Sequence, residues 1–387
     1  MAITVSKLTT SREERGQAIA QLSGQVKRLD DCTYTVKSQS HNGEYTVSKS
    51  GNEWVCSCPD NTYRHLICKH IFAVDFSSQL RSQVAVNRVI QEVNVSNCQF
   101  CGSSNLKKDG VRKNKSGTIQ KFFCRDCHHY FTINIGFERM KHNPQAITSA
   151  MQLYFSGESL RNTQESLKLL GVEVSYQTVL NWIKKYVGLM KDYVEKFQPN
   201  VSDTWRADEL WIKVNGNMKY LFAMMDDETR FWIAQEVAET KFSHDARNLL
   251  AMSKRLMGKK PMTFITDGLP AYNEAYKKEF WTLKGPRTEH VRHIKLSGDI
   301  HNNKMERMNG EIRDREKTMR GLKIDDTAIL QGYQLFHNYI RPHEALDGKT
   351  PSEACGITIE GKNKWLTLIQ NASQQTKVDM ESQQTRS

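Results

Sequence analysis

The chain has 387 residues, of which 38% are hydrophobic and 9% aromatic, so it is a globular protein with room for more than one domain. Its formal net charge of +12 and its isoelectric point near 9.2 indicate a polyanionic partner, with nucleic acid favoured over an anionic membrane. The sequence has no apolar run of about 18 residues and no signal-peptide core, which argues against a transmembrane helix and predicts a cytoplasmic protein.

The first cysteine cluster is WVCSCPDNTYRHLICKHIFAV, residues 54–74. Cys56 and Cys58 form one close pair, and Cys68 and His70 form another after a loop of nine residues. Zinc prefers four tetrahedral nitrogen or sulfur ligands, and two such pairs can supply all four from one short segment. The pattern resembles the SWIM zinc finger, which implies a structural zinc ion and a role for residues 1–80 in binding DNA or protein.

A second cluster lies within residues 96–134. Cys98-x-x-Cys101 and Cys124-x-x-Cys127 are separated by 22 residues, which is typical of a zinc ribbon. The loop between them is basic and ends in two aromatic residues, a composition suited to DNA contacts. These residues are Lys107, Lys108, Arg112, Lys113, Lys115, Lys121, Phe122 and Phe123. For both clusters the alternative is reduced cysteines without metal, which the repeated paired spacing disfavours.

Residues 143–190 show helical periodicity and predict a helix-turn-helix. Pro144 and Gly157 bound the first helix, a second helix ends at Gly171, and Ser175 is the expected N-cap of a third. The polar residues early in the third helix would face DNA. They are Tyr176, Gln177, Asn181, Lys184 and Lys185. A plain helical bundle has the same periodicity and remains the alternative.

From residue 200 the sequence predicts an α/β fold of the RNase H-like type, a mixed sheet flanked by helices. Two β-rich runs flank the turn NGN at 215–217, and a third follows the turn DDET. Helical and strand patterns then alternate to give the order β-β-β-α-β-α-β-α. We expect this domain to occupy residues 200–357, preceded by the zinc modules and the helical region.

In such a fold, three carboxylates that are far apart in the sequence are expected to lie close together. Asp208 lies in the first strand, Asp267 ends the fourth, and Glu306 lies in the first turns of the last helix. Glu209 is not assigned to this site, because successive residues of a strand point to opposite faces and only one of Asp208 and Glu209 can belong to it. For Asp226 and Asp227 in DDET, turn chemistry is a sufficient explanation.

Together these segments resemble the DDE transposases of insertion sequences, in the retroviral-integrase superfamily. The resemblance rests on WRADELWIKV, FITDGLPAY, NNKMERMNGEIRDREKTMRGLK and FHNYIRPHEALDGKTPSEACG, and it covers about residues 143–357. Asp267 and Glu306 have 38 residues between them, close to the usual interval in the family.

The resemblance implies an enzyme that cleaves DNA ends and transfers strands by phosphodiester transesterification. Asp208, Asp267 and Glu306 would be catalytic and would hold two Mg²⁺ ions, with Mn²⁺ as a substitute. Arg313 shares a helix face with Glu306 and would contact phosphate. The implied partners are the terminal repeats and target, both double-stranded DNA, bound by a homodimer or higher oligomer, so the protein would be nucleoid-associated when on DNA.

Two other functions fit parts of the sequence. A zinc-dependent DNA-binding regulator derived from a transposase would keep the cysteines and the helix-turn-helix but would not need all three acids. An RNase H-type nuclease would not need modules that recognise DNA ends. The polar residues 370–387 are expected to form a disordered tail.

Overall fold

The computed structural model of the protein describes residues 11–22, 25–29, 33–50, 53–83, 88–93, 96–98, 100–114, 117–132, 134–283, 287–293, 302–319, 322–324 and 327–384. Contacts between residues divide the chain into two compact units. Unit 1 comprises residues 1–86, 200–210 and 220–309, and unit 2 comprises residues 87–199, 211–219 and 310–387.

The first part of unit 1 contains a four-stranded antiparallel sheet in the order β1-β2-β3-β4. Its elements are α1 (Arg12–Gln21), β1 (Val26–Arg28), β2 (Thr33–Lys37), β3 (Glu44–Ser50), β4 (Glu53–Cys56), α2 (Pro59–Thr62) and α3 (Lys69–Gln83). Ile19, Val36 and Val47 belong to its buried core. Helices α1 and α3 meet closely at Gly16, where a Cβ atom would lie 2.5 Å from Phe72 Cβ, so this packing requires glycine.

The first part of unit 2 combines a three-stranded antiparallel sheet, β6-β7-β8, with three helices. The elements are β5 (Arg88–Ile90), β6 (Leu106–Asn114), β7 (Gly117–Cys124), β8 (Tyr130–Thr132), α4 (Pro144–Phe155), α5 (Leu160–Leu169) and α6 (Tyr176–Val194). Each helix begins after a side-chain cap: Asn143, Ser159 and Ser175 accept hydrogen bonds from backbone N–H groups of the first turn.

The predicted mixed sheet is confirmed, with five strands in the order β11-β10-β9-β12-β13. Its elements and helices are β9 (Thr204–Val214), β10 (Asn217–Asp226), β11 (Trp232–Ala238), α7 (Ser243–Met257), β12 (Thr263–Asp267), α8 (Pro270–Glu279), β13 (Glu289–His293) and α9 (Asn303–Met319). Strands β10 and β11 are antiparallel, whereas β12 is parallel to both β9 and β13. Asn215 (φ 49°) and Gly216 (φ 87°) make the hairpin turn between β9 and β10 in the left-handed region that such turns require.

The remainder of unit 2 is mainly helical. It contains α10 (Ala328–Leu335), a π-helical turn (Phe336–Ile340), a 3-10 turn (Glu344–Leu346), α11 (Pro351–Ala354), β14 (Ile357–Ile359) and α12 (Lys364–Gln384). Strand β14 pairs in parallel with β5. Among the described residues, no helix is both long and apolar enough to cross a membrane.

The expectation of a disordered tail from residue 370 is wrong for the residues that the structure describes. Helix α12 continues to Gln384. Leu368, Ile369 and Ala372 are buried at helical spacing, so the first half of α12 is a packed element of unit 2. The polar composition after residue 372 concealed this stripe, and residues 385–387 lie outside the described part of the chain.

Candidate functional site

Asp208 and Asp267 lie side by side on neighbouring parallel strands. Strands β9 and β12 pair from Thr204 opposite Thr263 to Ala207 opposite Thr266, so the next position on each strand is an acid. Both carboxylates are half-buried, and together with Glu209 they offer oxygen atoms that all lie within 4.8 Å of one another. We call Asp208, Glu209 and Asp267 the acidic cluster.

The carboxylate of Glu209 lies beside those of Asp208 and Asp267, which the alternation of side chains along a strand does not predict. Strand β12 ends at Asp267, so it does not continue alongside the part of β9 that carries Glu209. The long glutamate side chain can therefore reach its neighbours although its Cβ starts on the opposite side of the strand from that of Asp208. Burial, followed by repulsion from Asp267 and Asp208, raises the pKa of Glu209 to about 8.

Tyr272 of α8 adjoins this cluster and is fully buried. Burial and the charge of Glu209 raise its pKa well above the ordinary value, so the phenol remains protonated at neutral pH. A hydrogen bond between the Tyr272 hydroxyl and the Glu209 carboxylate links α8 to the acidic cluster.

Helix α9 reaches the acidic cluster through Asn309. The Asn309 side chain is buried, and its Nδ2 atom donates to Asp208 Oδ2 at 2.8 Å. Glu306 lies three residues earlier, in the first turn of α9, but its side chain is exposed. The structure thus brings two of the three predicted carboxylates together and leaves Glu306 outside the group within 4.8 Å.

The donor set of the acidic cluster fits a divalent cation. Burial and then repulsion from Asp267 and Asp208 raise the pKa of Glu209, and a cation bound among the three carboxylates would offset that repulsion. Oxygen-only ligands are the set that hard ions such as Mg²⁺ prefer.

Asp227, in the turn after β10, is a fully buried carboxylate outside the acidic cluster. It pairs with the guanidinium of fully buried Arg206, and Lys304 Nζ donates both to its Oδ1 atom and to its backbone carbonyl, each at 2.9 Å. Arg28 Nη1 of β1 lies 3.9 Å from Asp227 Oδ2 and 3.2 Å from a carboxylate oxygen of Glu228. Burial alone would raise the pKa of Asp227, but Arg206, Lys304 and Arg28 together hold it below its ordinary value.

The two aspartates of the DDET turn therefore have different environments. Asp226 accepts from the backbone N–H and hydroxyl of Ser202 and of Thr229 at 2.6–2.8 Å, and burial raises its pKa. Turn chemistry accounts for the contacts of Asp226 with Thr229, whereas those with Ser202 join the turn to the segment before β9. Turn chemistry does not explain Asp227, whose side chain pairs with cations.

The SWIM-like cluster gathers its four predicted ligands in unit 1. Cys56, Cys58, Cys68 and His70 are all buried, and His70 Nδ1 lies 3.8 Å from both Cys56 Sγ and Cys68 Sγ. Zinc–sulfur bonds of about 2.3 Å place tetrahedral ligands about 3.8 Å apart, so the spacing fits zinc. The hydrogen bond from Cys56 lowers the pKa of Cys68 to about 4 and raises that of Cys56.

The second cluster likewise gathers its four cysteines, in unit 2. Cys98 Sγ lies 3.6 Å from Cys127 Sγ, and Cys101 Sγ lies 3.6 Å from Cys124 Sγ. These distances also suit the edges of a zinc tetrahedron. Phe122 packs against the cluster and stacks on Phe131, so it serves the core of this small sheet. Lys115 lies outside the described residues.

The predicted DNA-facing residues of α6 share one exposed face, whereas Val179, Trp182, Ile183 and Tyr186 are buried. The exposed set is Tyr176, Gln177, Asn181, Lys184 and Lys185. Gln177 Nε2 donates to Asn181 Oδ1 at 3.2 Å, and the Arg161 guanidinium lies 5.7 Å from the centre of the Tyr176 ring. Arg313 of α9 is also exposed.

Two regions of the chain match known protein families. Residues 202–343 match the family described as a DDE domain, and residues 45–74 match the SWIM zinc finger. The resemblance to the DDE transposases of insertion sequences is confirmed. The DDE domain contains the acidic cluster and Glu306, and the SWIM match contains all four ligands of the first cysteine cluster.

Curated transposases are similar to part of this chain. The transposase for insertion sequence-like element IS431mec of Staphylococcus aureus strain Mu50 is 29% identical over 154 residues, which are 38% of this chain and 66% of that protein. The transposase for insertion sequence element IS257 in transposon Tn4003 of Staphylococcus aureus gives the same values. The chain thus spans slightly less than two thirds of the length of the curated relatives it matches.

Solved structures with some likeness include the HTLV-2 integrase catalytic core domain in complex with magnesium, in dimeric and trimeric forms. They are 19% and 20% identical, with TM-scores of 0.29 and 0.30, and cover 40% and 41% of this chain and 95% and 98% of those chains. Likeness at this level carries no information about individual residues.

Proposed function

We propose that the chain is a transposase that cleaves the ends of an insertion sequence and joins them to target DNA. The observation that carries the proposal is the meeting of Asp208 and Asp267 at paired positions of β9 and β12 within the DDE domain. The relatives named transposases and the net charge of +12 support it.

In this proposal carboxylates of the chain bind the catalytic cations, and neighbouring side chains keep those carboxylates in position. Asp208 and Asp267 provide oxygen ligands, and Asn309 fixes the orientation of Asp208 through its 2.8 Å hydrogen bond. Divalent ions such as Mg²⁺, when bound there, supply activation of the attacking oxygen and stabilisation of the leaving oxygen at phosphorus. The amide of Asn309 keeps Asp208 Oδ2 in place whichever nucleophile, water or a DNA 3′-hydroxyl, is used.

The third carboxylate has two candidates, Glu306 and Glu209. Family resemblance favours Glu306, which lies one helical turn from Asn309 on α9. Proximity favours Glu209, whose carboxylate already lies in the acidic cluster. We propose that Glu306 completes the catalytic set when DNA and cations are bound, and that Glu209 remains a neighbour whose charge the cations offset.

DNA would be bound by surfaces outside the acidic cluster. We assign terminal-repeat recognition to the exposed face of α6 with Tyr176, Gln177 and Asn181, and phosphate contacts to Lys184 and Lys185. We also assign a phosphate contact to exposed Arg313. The two cysteine clusters would hold structural zinc, and the active assembly would contain at least two copies of the chain, since two ends must be joined.

A strand-joining assay tests the proposal. The full-length protein with zinc retained is incubated with Mg²⁺, a duplex terminal repeat ending in a free 3′-hydroxyl, and a supercoiled target plasmid. Asp208→Asn, Glu306→Gln and Glu209→Gln are run in parallel, and binding to the same duplex is measured for each. We expect joined products from the unmodified protein and from Glu209→Gln, and a loss of at least about a hundredfold for the other two variants with binding retained.

The outcomes separate the candidate functions. Binding without joining by the unmodified protein would favour a DNA-binding regulator derived from a transposase. Plasmid nicking that depends on Asp208 without any joined product would favour a nuclease. Joining that survives in Glu306→Gln but is lost in Glu209→Gln would exchange the roles of the two glutamates.

A further inference from the structure

Asp227 connects two elements that carry the proposed catalytic carboxylates. Arg206 stands two residues before Asp208 on β9, and Lys304 stands two residues before Glu306 in the first turn of α9. Both cations bind the same buried carboxylate, Asp227.

The contacts of Asp227 are specific enough to fix the positions of its partners. Asp227 has no exposed side-chain surface, and Arg206 and Lys304 have 1% and 11% of their side chains exposed. Buried ionic groups with several partners tolerate few alternative arrangements, because any rearrangement leaves a charge without compensation. The Lys304 Nζ atom also binds the Asp227 carbonyl at 2.9 Å, which ties the start of α9 to the turn backbone as well as to the side chain.

The zinc-finger part of unit 1 also reaches Asp227. Its strand β1 contributes Arg28, whose guanidinium lies 3.9 Å from Asp227 Oδ2. The carbonyl of Arg28 accepts a hydrogen bond from Thr204 Oγ1 of β9 at 3.0 Å. Strand β1 therefore contacts both the turn that holds Asp227 and the start of the strand that carries Asp208.

From these contacts we infer that Asp227 is a positioning residue: it sets the relative placement of β9 and the first turn of α9, and hence the cation affinity of the acidic cluster and the position of Glu306. The inference rests on the proposed function for its catalytic consequence, but its effect on cation binding is independent of DNA joining. Residues that orient metal ligands from outside the ligand set change metal affinity or activity by about 10–100-fold when they are replaced.

The test compares Asp227→Asn with a matched control in the same unit. Glu279 at the end of α8 also binds two cations, Arg247 at 2.8 Å and Lys254 at 2.7 Å, with 9% of its side chain exposed. Glu279→Gln also removes a carboxylate that pairs with two cations, although its partners are more exposed than those of Asp227, and it lies outside the acidic cluster. Lys304→Gln provides a second variant that keeps Asp227, in case Asp227→Asn does not fold.

Mn²⁺ binding to the full-length, zinc-loaded proteins is measured by electron paramagnetic resonance, with the folded fraction determined by circular dichroism. We expect Asp227→Asn to weaken Mn²⁺ binding about tenfold or more per folded molecule, Lys304→Gln to weaken it in the same direction, and Glu279→Gln to leave it unchanged within about twofold. In the joining assay, Asp227→Asn should lower kcat with little change in the KM for DNA, because the defect lies at the cluster and not in DNA binding.

Unchanged Mn²⁺ affinity in both folded Asp227→Asn and Lys304→Gln would overturn the inference, as would equal weakening in Glu279→Gln. An unmodified protein that binds no Mn²⁺ would overturn it as well. An unmodified protein that binds Mn²⁺ but never joins DNA would refute the proposed function alone, and the Mn²⁺ comparison would still decide the role of Asp227.

Discussion

Replacing Glu209 with glutamine should stabilise the protein when its zinc is retained but no other divalent cation is present. The folded state raises the pKa of Glu209 from 4.5 to about 8, through burial and then through Asp267 and Asp208. A carboxyl with a higher pKa in the folded state holds its proton more tightly there, so stability declines as the pH rises from about 4.5 through about 8. At pH 7 this loss of stability is at most on the order of 3 kcal/mol, because each pH unit between the unfolded-state pKa and pH 7 contributes about 1.4 kcal/mol. Solvent that reaches part of the side chain makes the loss smaller.

Thermal unfolding at pH 5, 7 and 8.5, followed by circular dichroism, measures this effect, with the pH values chosen to bracket the pKa of about 8. We expect Glu209→Gln to unfold several degrees above the unmodified protein at the highest pH and near the same temperature at the lowest, at about 2–4 °C per kcal/mol. Glu274→Gln, which changes an exposed carboxylate of α8, is the control and should follow the unmodified protein. A Glu209→Gln variant with the same pH dependence as the unmodified protein would refute the reasoning.

Three further predictions concern the rest of the chain. Ile369→Ala should lower the free energy of unfolding by about 2–5 kcal/mol in denaturant titrations, because Ile369 is fully buried in α12; a change below about 0.5 kcal/mol would mean that this helix does not pack. Cys68→Ser and Cys124→Ser should each remove one of two zinc ions per chain in metal analysis, and unchanged zinc content would contradict the assigned ligand sets. Lys184→Gln and Lys185→Gln should weaken DNA binding equally for all sequences and reduce the slope of log K against log salt by about one each, whereas a change in sequence preference would place these residues at base edges.

The sheet and the paired aspartates could be predicted from the sequence because their signals are local. Asn215 and Gly216 mark the hairpin, and the patterns that follow alternate between strand and helix. Asp267 ends a short apolar run before Gly268, which places it at a strand end. The parallel register of β9 and β12 then brings Asp267 level with Asp208.

Glu209 and Asp227 could not be assigned from the sequence, for different reasons. Alternation along a strand gives the direction of a Cβ atom, but it does not describe how far a glutamate reaches where the neighbouring strand has ended. The role of Asp227 depends on Arg28, Arg206 and Lys304, which are far apart in the chain and meet only in the folded unit. A turn motif alone favours aspartate for local reasons and so conceals such long-range pairing.

Amino-acid composition alone did not predict the helix at the end of the chain. Residues after 372 are mostly polar, and composition alone predicts disorder for them. Among the α12 residues whose burial the structure describes, the apolar stripe runs from Trp365 to Ala372, and its regular spacing is visible only when the sequence window begins near Trp365. Periodicity over the whole helix would have identified the packed half.

The central claim is that Asp208 and Asp267 form one cation-dependent site for joining DNA strands. The most direct measurement is the joining of a terminal-repeat duplex with a free 3′-hydroxyl to a supercoiled plasmid by Asp267→Asn and by the unmodified protein, titrated with Mg²⁺ and with duplex binding recorded in the same samples. A shared cation site at Asp208 and Asp267 predicts Mg²⁺-dependent joined products from the unmodified protein and none from Asp267→Asn at equal duplex binding. Equal joining by both proteins, or joining that needs no divalent cation, would contradict it.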